Sequence, residues 1–137
     1  MTPINLVKTI YLGDRACQSI TLDGQHRKVV IRVDLISRVR GESWDFYSHE
    51  DIPHGQLVFC DVQSVRFDPS GPMPNDLMND LVVSSVQESA GSKQNYLFSL
   101  SIDSVNEKGD RKEVRVEILA ADLYLVDPRS PQQEIRE

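Results

Sequence analysis

The sequence predicts a mainly β fold, either an antiparallel curved sheet or a two-layer β structure, with one or two short helices. Three observations carry that expectation. Short runs of alternating apolar and polar residues nearly fill the chain, at Cys17 to Leu22, Val29 to Ile36, Gln56 to Phe67, Leu81 to Val86, Tyr96 to Ile102 and Val114 to Val126. Alternation of period two sends one side of each run into a core and the other into water. Clusters such as Asp23-Gly24 and Asn106-Glu107-Lys108-Gly109-Asp110 separate successive runs, as hairpins require. The length of 137 residues suits one core, so residues 1–137 are expected to form a single domain, with a flexible polar tail from about residue 129.

Along the chain, Ile4, Val7 and Ile10 recur every three residues, which fits a helical turn and an irregular edge segment equally. Val29, Ile31, Val33 and Leu35 share a parity, so the second run is expected to bury all four, and Gly24 to supply the positive φ of the first hairpin turn. The long connection from Arg38 to Gly55 has room for a short strand at Trp44 to Tyr47. In Gln56 to Phe67, Val62 breaks the parity of Leu57, Phe59, Val65 and Phe67, which predicts a bulge near Cys60 and Asp61. Three prolines make Asp68 to Pro74 irregular, and Asn75 is placed to cap one helical turn through Asp80. The hairpin joining Tyr96–Ile102 to Val114–Ile118 follows, and a strand continues or restarts through Leu123 to Val126 before Pro128 and Pro131. Val29, Ile31, Val33, Phe98, Leu100, Val116 and Ile118 are the expected core.

Charge is unevenly distributed. Residues 1–40 carry seven Lys and Arg against three Asp, whereas the remainder carries eight against eighteen acidic residues, and the two parts give the net charge of −6. Between Glu42 and Asp80, Arg66 is the sole Lys or Arg among eight acidic residues. Nucleic acid, whose phosphates need a basic surface, is not an expected partner. Solvated turns explain many of these carboxylates; a docking surface for a basic protein is the functional reading. The N-terminal segment lacks the build of a secretory signal and no run reaches membrane-spanning length, so a cytoplasmic location and no membrane contact are expected. Cys17 and Cys60 are accordingly expected as reduced thiols.

No spacing belongs to a known catalyst. His49 and His54 flank Glu50, Asp51 and Pro53 without the one-face helical arrangement of a zinc hydrolase. The cysteines form no CxxC, and the glycine at position 71 lacks the Lys and following helix of a phosphate loop. No catalytic residue, metal or cofactor is therefore expected. Asp14 and Arg15 form a candidate polar cluster at the entry to the first strand; being neighbours on an extended chain, they point apart and each needs another partner. Trp44, Asp45, Tyr47, Glu50 and Asp51 are the candidate partner-binding residues, the aromatic rings as anchors and the carboxylates as steering charges. A core role for Trp44 and Phe46 is the plainer alternative.

The segments YLGDRAC, SWDFYSHEDIPHGQLVF and FDPSGPMPNDLMNDL resemble a family of small, uncharacterised bacterial proteins with a YLGDRxC and FDPxGxxPND pattern, over about Ile10 to Val83. More loosely, the Gly-Asp entry, the hairpin, the strand Phe59-Cys60-Asp61-Val62 and the closing hairpin are similar in layout to immunity proteins of bacterial toxin systems. The chain differs from that layout in having Arg15 after Asp14 and no His before it. That likeness implies a non-catalytic protein that neutralises a basic toxin or enzyme. Two other classes stay open: a small-ligand-binding or enzymatic β domain with the ligand in the concavity of the sheet, and a structural or self-assembling accessory protein joined through a sheet edge.

Overall fold

The computed structural model describes residues 1–40, 45–46, 50–86 and 94–137. Over these residues it is mainly β, with antiparallel pairing throughout and one short α-helix. Thr2 caps that helix, α1 (Pro3–Val7), through its hydroxyl, which accepts the Asn5 N–H at 3.3 Å, and Pro3 occupies the first turn, where no N–H is needed. The threefold spacing of Ile4, Val7 and Ile10 thus becomes a helix followed by β1 (Ile10–Tyr11).

The alternating runs form β2 (Arg15–Asp23), β3 (Lys28–Val33), β7 (Gln56–Cys60), β8 (Ser64–Asp68), β9 (Leu77–Val86), β10 (Asn95–Val105), β11 (Arg111–Ala120) and β12 (Asp122–Val126). Their order is β12-β7-β3-β2-β9-β10-β11-β8. The two ends of this order meet. β12 continues β11 after Ala121, β8 continues β7 after Gln63, and each half of one bent strand pairs with a half of the other. Ala121 N–H donates to Cys60 O at 3.1 Å and Gln63 N–H to Leu119 O at 2.8 Å, carrying the ladder across both bends. The sheet is therefore a closed six-strand barrel, the limiting form of the expected curvature. Its narrowest seam is β2 against β9, where only Arg15–Met78 and Ala16–Leu77 are paired, followed by the Cys17 N–H donating to Asp76 O at 2.8 Å.

All seven expected core residues are buried, and Ile31, Phe98, Leu100, Val116 and Ile118 have no exposed surface. Leu57, Phe59, Ile102 and Val114 complete the filling, and the rings of Phe59 and Phe98 meet edge to face at 5.0 Å. Burying each such side chain contributes about 1.5–3 kcal/mol relative to exposure. A smaller outward cluster, Val58, Tyr124 and Val126, is also buried.

A second small sheet is built on β4 (Leu35–Arg40), which pairs with β1, with β5 (Asp45–Phe46) and with β6 (Ile52–Pro53). Ile36, Ile52 and Leu12 enter the barrel's core cluster. Here the parity expectation fails: Ile36 is fully buried and Leu35 only half-buried. The run breaks at Asp34, whose carboxylate accepts the Ala16 N–H at 3.0 Å while its own N–H donates to Ala16 O at 3.0 Å, so the chain leaves the barrel there and changes face.

Three further local expectations are corrected. Arg27, not Gly24, takes the positive φ of the first hairpin, at 54°, because the turn closes over Asp23, whose side chain accepts the His26 N–H at 3.1 Å. The bulge foreseen near Cys60 is a full break between β7 and β8, with Asp61 at φ 51°. Asn75 caps no helix: its amide exchanges two hydrogen bonds with the Val105 main chain at 2.9 and 3.1 Å, and β9 begins two residues later. The last residues lie along β12, where Ile135 and Leu125 exchange main-chain hydrogen bonds at 2.9 Å in each direction.

Candidate functional site

Asp14 is the last residue of the turn that links β1 to β2, and Arg15 opens β2. Asp14 sits exposed at φ 60°, in the left-handed region that Asp tolerates better than most residues. Arg15 turns toward β4, where its Nη2 donates to Ser37 Oγ at 2.7 Å; its Nε is buried and has no hydrogen-bond partner among the described residues. The two residues therefore belong to different surroundings and make no joint site.

The acidic candidates are carried on segments that pair with β4. Asp45 lies opposite Arg40 in the β4–β5 ladder. Glu50 is half-buried just ahead of β6. Asp51 Oδ1 accepts the Arg38 main-chain N–H at 3.2 Å, and its own carbonyl accepts from Arg129 Nη2 at 3.3 Å. Trp44 and Tyr47 lie outside the described residues. Arg38 on β4 is 3% exposed, and its Nη2 donates to Thr9 Oγ1 at 3.0 Å and to the main-chain oxygen of Glu137 at 2.6 Å. This arginine, which ties β4 to the end of α1 and to the last residue, was not singled out by sequence. The sequence gives little signal for it, since Ser37 and Arg40 flank it in the same segment.

Farther round the barrel, the outward residues of β9, β10 and β11 form a second polar network. Arg111 Nη1 donates to Asp76 Oδ2 at 2.8 Å and to Asp103 Oδ2 at 2.7 Å, and Asn79 Nδ2 donates to Asp103 Oδ1 at 2.8 Å. Arg115 Nη1 donates to Asp80 Oδ1 at 2.9 Å and to Ser99 Oγ at 3.2 Å. The Arg111 guanidinium holds the Asp76 carboxyl below the usual range. Two carboxylates of the acidic stretch, Asp76 and Asp80, are thus matched by cations from β11.

A third cluster surrounds Tyr124. Arg136 lies 5.0 Å from its ring centre and Lys28 Nζ 5.9 Å, while Arg136 also bonds to Asp122 and Glu134. The thiols do not pair. Cys17 faces the barrel core on β2, Cys60 packs on the outward cluster of β7, and β3 runs between them. Burial pushes the Cys17 thiol up to about 11 and raises that of Cys60 as well. Both are poor nucleophiles at neutral pH.

His26 Nδ1 stands 2.9 Å from Asp23 Oδ2 and His54 Nδ1 3.1 Å from Gln18 Oε1, so each ring is engaged locally; His49 lies outside the described residues. Among the described residues no group of three or more His, Cys, Asp and Glu is placed to hold a metal ion, and no helix is long and apolar enough to cross a membrane.

The geometry defines a small closed antiparallel β barrel with a packed interior and a secondary sheet at its side. The chain belongs to a family of unknown function, DUF6258, whose sequence pattern matches residues 1–137. Neither a curated protein nor a solved structure matches it.

Proposed function

We propose that this protein is a non-catalytic binding module that docks a basic protein partner, in the manner of an immunity protein that neutralises a toxin or enzyme. The observation that carries the reading is the division of labour between inside and outside. Ile31, Leu57, Phe59, Phe98, Leu100, Ile102, Val114, Val116 and Ile118 leave no exposed surface in the barrel, which speaks against a ligand held in its concavity. Asp45, Glu50 and Asp51 instead sit on peripheral segments around β4. The net charge of −6 adds a long-range field that speeds encounter with a cationic partner and disfavours anionic ones. Trp44 and Tyr47, on the same connection, supply the aromatic contacts of the reading.

The test is association and dissociation kinetics at two salt concentrations against basic proteins encoded beside this gene. Asp45→Lys combined with Glu50→Lys is expected to slow association, most strongly in dilute buffer, because salt screens charge interactions beyond about 8 Å at physiological ionic strength. Tyr47→Ala is expected to speed dissociation. Asp51 is left intact, since its carboxylate holds the Arg38 N–H. Unchanged rates in all variants at wild-type thermal stability would overturn the reading.

A further inference from the structure

We propose that β8 is a self-recognition edge through which two copies of this chain join their sheets antiparallel across a twofold axis. β8 pairs with β11 on one side and with no strand on the other among the described residues. Two other edges are partly covered: Ile135 bridges to Leu125 at the edge of β12, and α1 packs beside β9. Val65 and Phe67 lie opposite Ile118 and Val116, which have no exposed surface, yet both remain only half-buried. Leu22, 57% exposed, borders the same edge across a groove shared with Val65. Partly buried apolar side chains thus border this unpaired edge.

The charges on that strand select the occupant. Arg66 and Asp68 are two residues apart on its outward face, 69% and 65% exposed, and 3.9 Å from one another, the outer limit of an ion pair. An antiparallel pairing centred on Phe67 sets Arg66 opposite the partner's Asp68 and Asp68 opposite the partner's Arg66. Opposite charges directly across a ladder stabilise it, and like charges destabilise it. In the same register Phe67 meets the partner's Phe67 on the apolar face, and Pro69, which has no N–H to donate, ends the pairing. The strand is thus complementary to a second copy of itself, a twofold contact of the commonest kind among soluble oligomers.

Sedimentation equilibrium on the full chain tests this, with circular dichroism and thermal denaturation confirming that each variant folds. The wild type is expected to dimerise reversibly. Arg66→Asp and Asp68→Arg each place like charges opposite one another twice and are expected to raise the dimer dissociation constant about tenfold or more. An equimolar mixture of the two, and the double variant Arg66→Asp with Asp68→Arg, should recover association near the wild-type level, because both restore opposite charges across the ladder. A wild type that stays monomeric up to about 1 mM would overturn the proposal. So would folded single variants that dimerise like the wild type, or a mixture that fails to recover.

Discussion

Gly55 lies so close beneath Ile36 that a β-carbon at position 55 would stand 2.6 Å from Ile36 Cδ1 and 3.0 Å from Ile52 Cγ2. This contact joins the small sheet to the barrel, since Val33 N–H donates to Gly55 O at 3.0 Å where β3 ends. Ile36 is fully buried, so it must shift within the core to make room. Gly55→Ala is expected to lower stability by about 1–3 kcal/mol, the range for overpacking a filled core. Gly24→Ala, where nothing lies within 4 Å and φ is not positive, is the control and should change the unfolding midpoint little. Chemical denaturation of both variants checks the pair.

Phe98 is the packing centre of the barrel, fully buried and in ring contact with both Phe59 and Tyr96. Phe98→Ala should destabilise by about 3–5 kcal/mol, as large-to-small changes in filled cores do. A loss below 1 kcal/mol in urea unfolding would mean that the interior is not packed as described.

The fold class and the two hairpins were legible because period-two alternation with turn residues has few other solutions. Barrel closure was not, because it depends on β7–β8 and β11–β12 bending at Asp61 and Ala121 so that their halves exchange partners. The runs show each bend only as a lost parity, as at Val62. The exit of β4 was hidden for a similar reason: Leu35 continues the pattern of Val33, and only the tertiary bond from Ala16 to Asp34 turns the chain there. Of the candidate site, sequence located the acidic residues near β4. It missed that Asp76 and Asp80 are paired with Arg111 and Arg115, because those partners lie thirty-five residues away in sequence.

Acid sensitivity follows from such pairs. Asp76 is held below its ordinary value by Arg111, Asp23 by His26 and Asp127 by Arg129. A carboxyl depressed in the folded state favours folding above its unfolded pKa of about 3.9, and that contribution fades as pH falls through the lower folded value. Stability should therefore fall below about pH 4. Asp76→Asn should flatten part of that fall, which urea midpoints from pH 6 to pH 2.5 will show as a smaller slope. An unchanged slope would mean the pair is too solvated to matter.

Thiol chemistry should discriminate the two faces of the sheet. With its thiol pushed up to about 11 and its side chain in the core, Cys17 should resist iodoacetamide at neutral pH in the native protein. Cys60, half-buried on the outer cluster, should react faster. Mass spectrometry is expected to find both modified after denaturation without reductant, and rapid native modification of Cys17 would place it outside the core.

Closure is the central feature of the fold, because a closed and filled barrel leaves the outer surface and its edges to carry function. Amide hydrogen exchange followed by NMR tests this at Ala121 and Gln63, whose N–H groups donate across the two bends to Cys60 and Leu119. The closed barrel predicts protection comparable to that of central β10 amides such as Leu100, near the limit set by global unfolding. Exchange of Ala121 and Gln63 at the rate of a free loop, with β10 still protected, would mean that the sheet is open along this line.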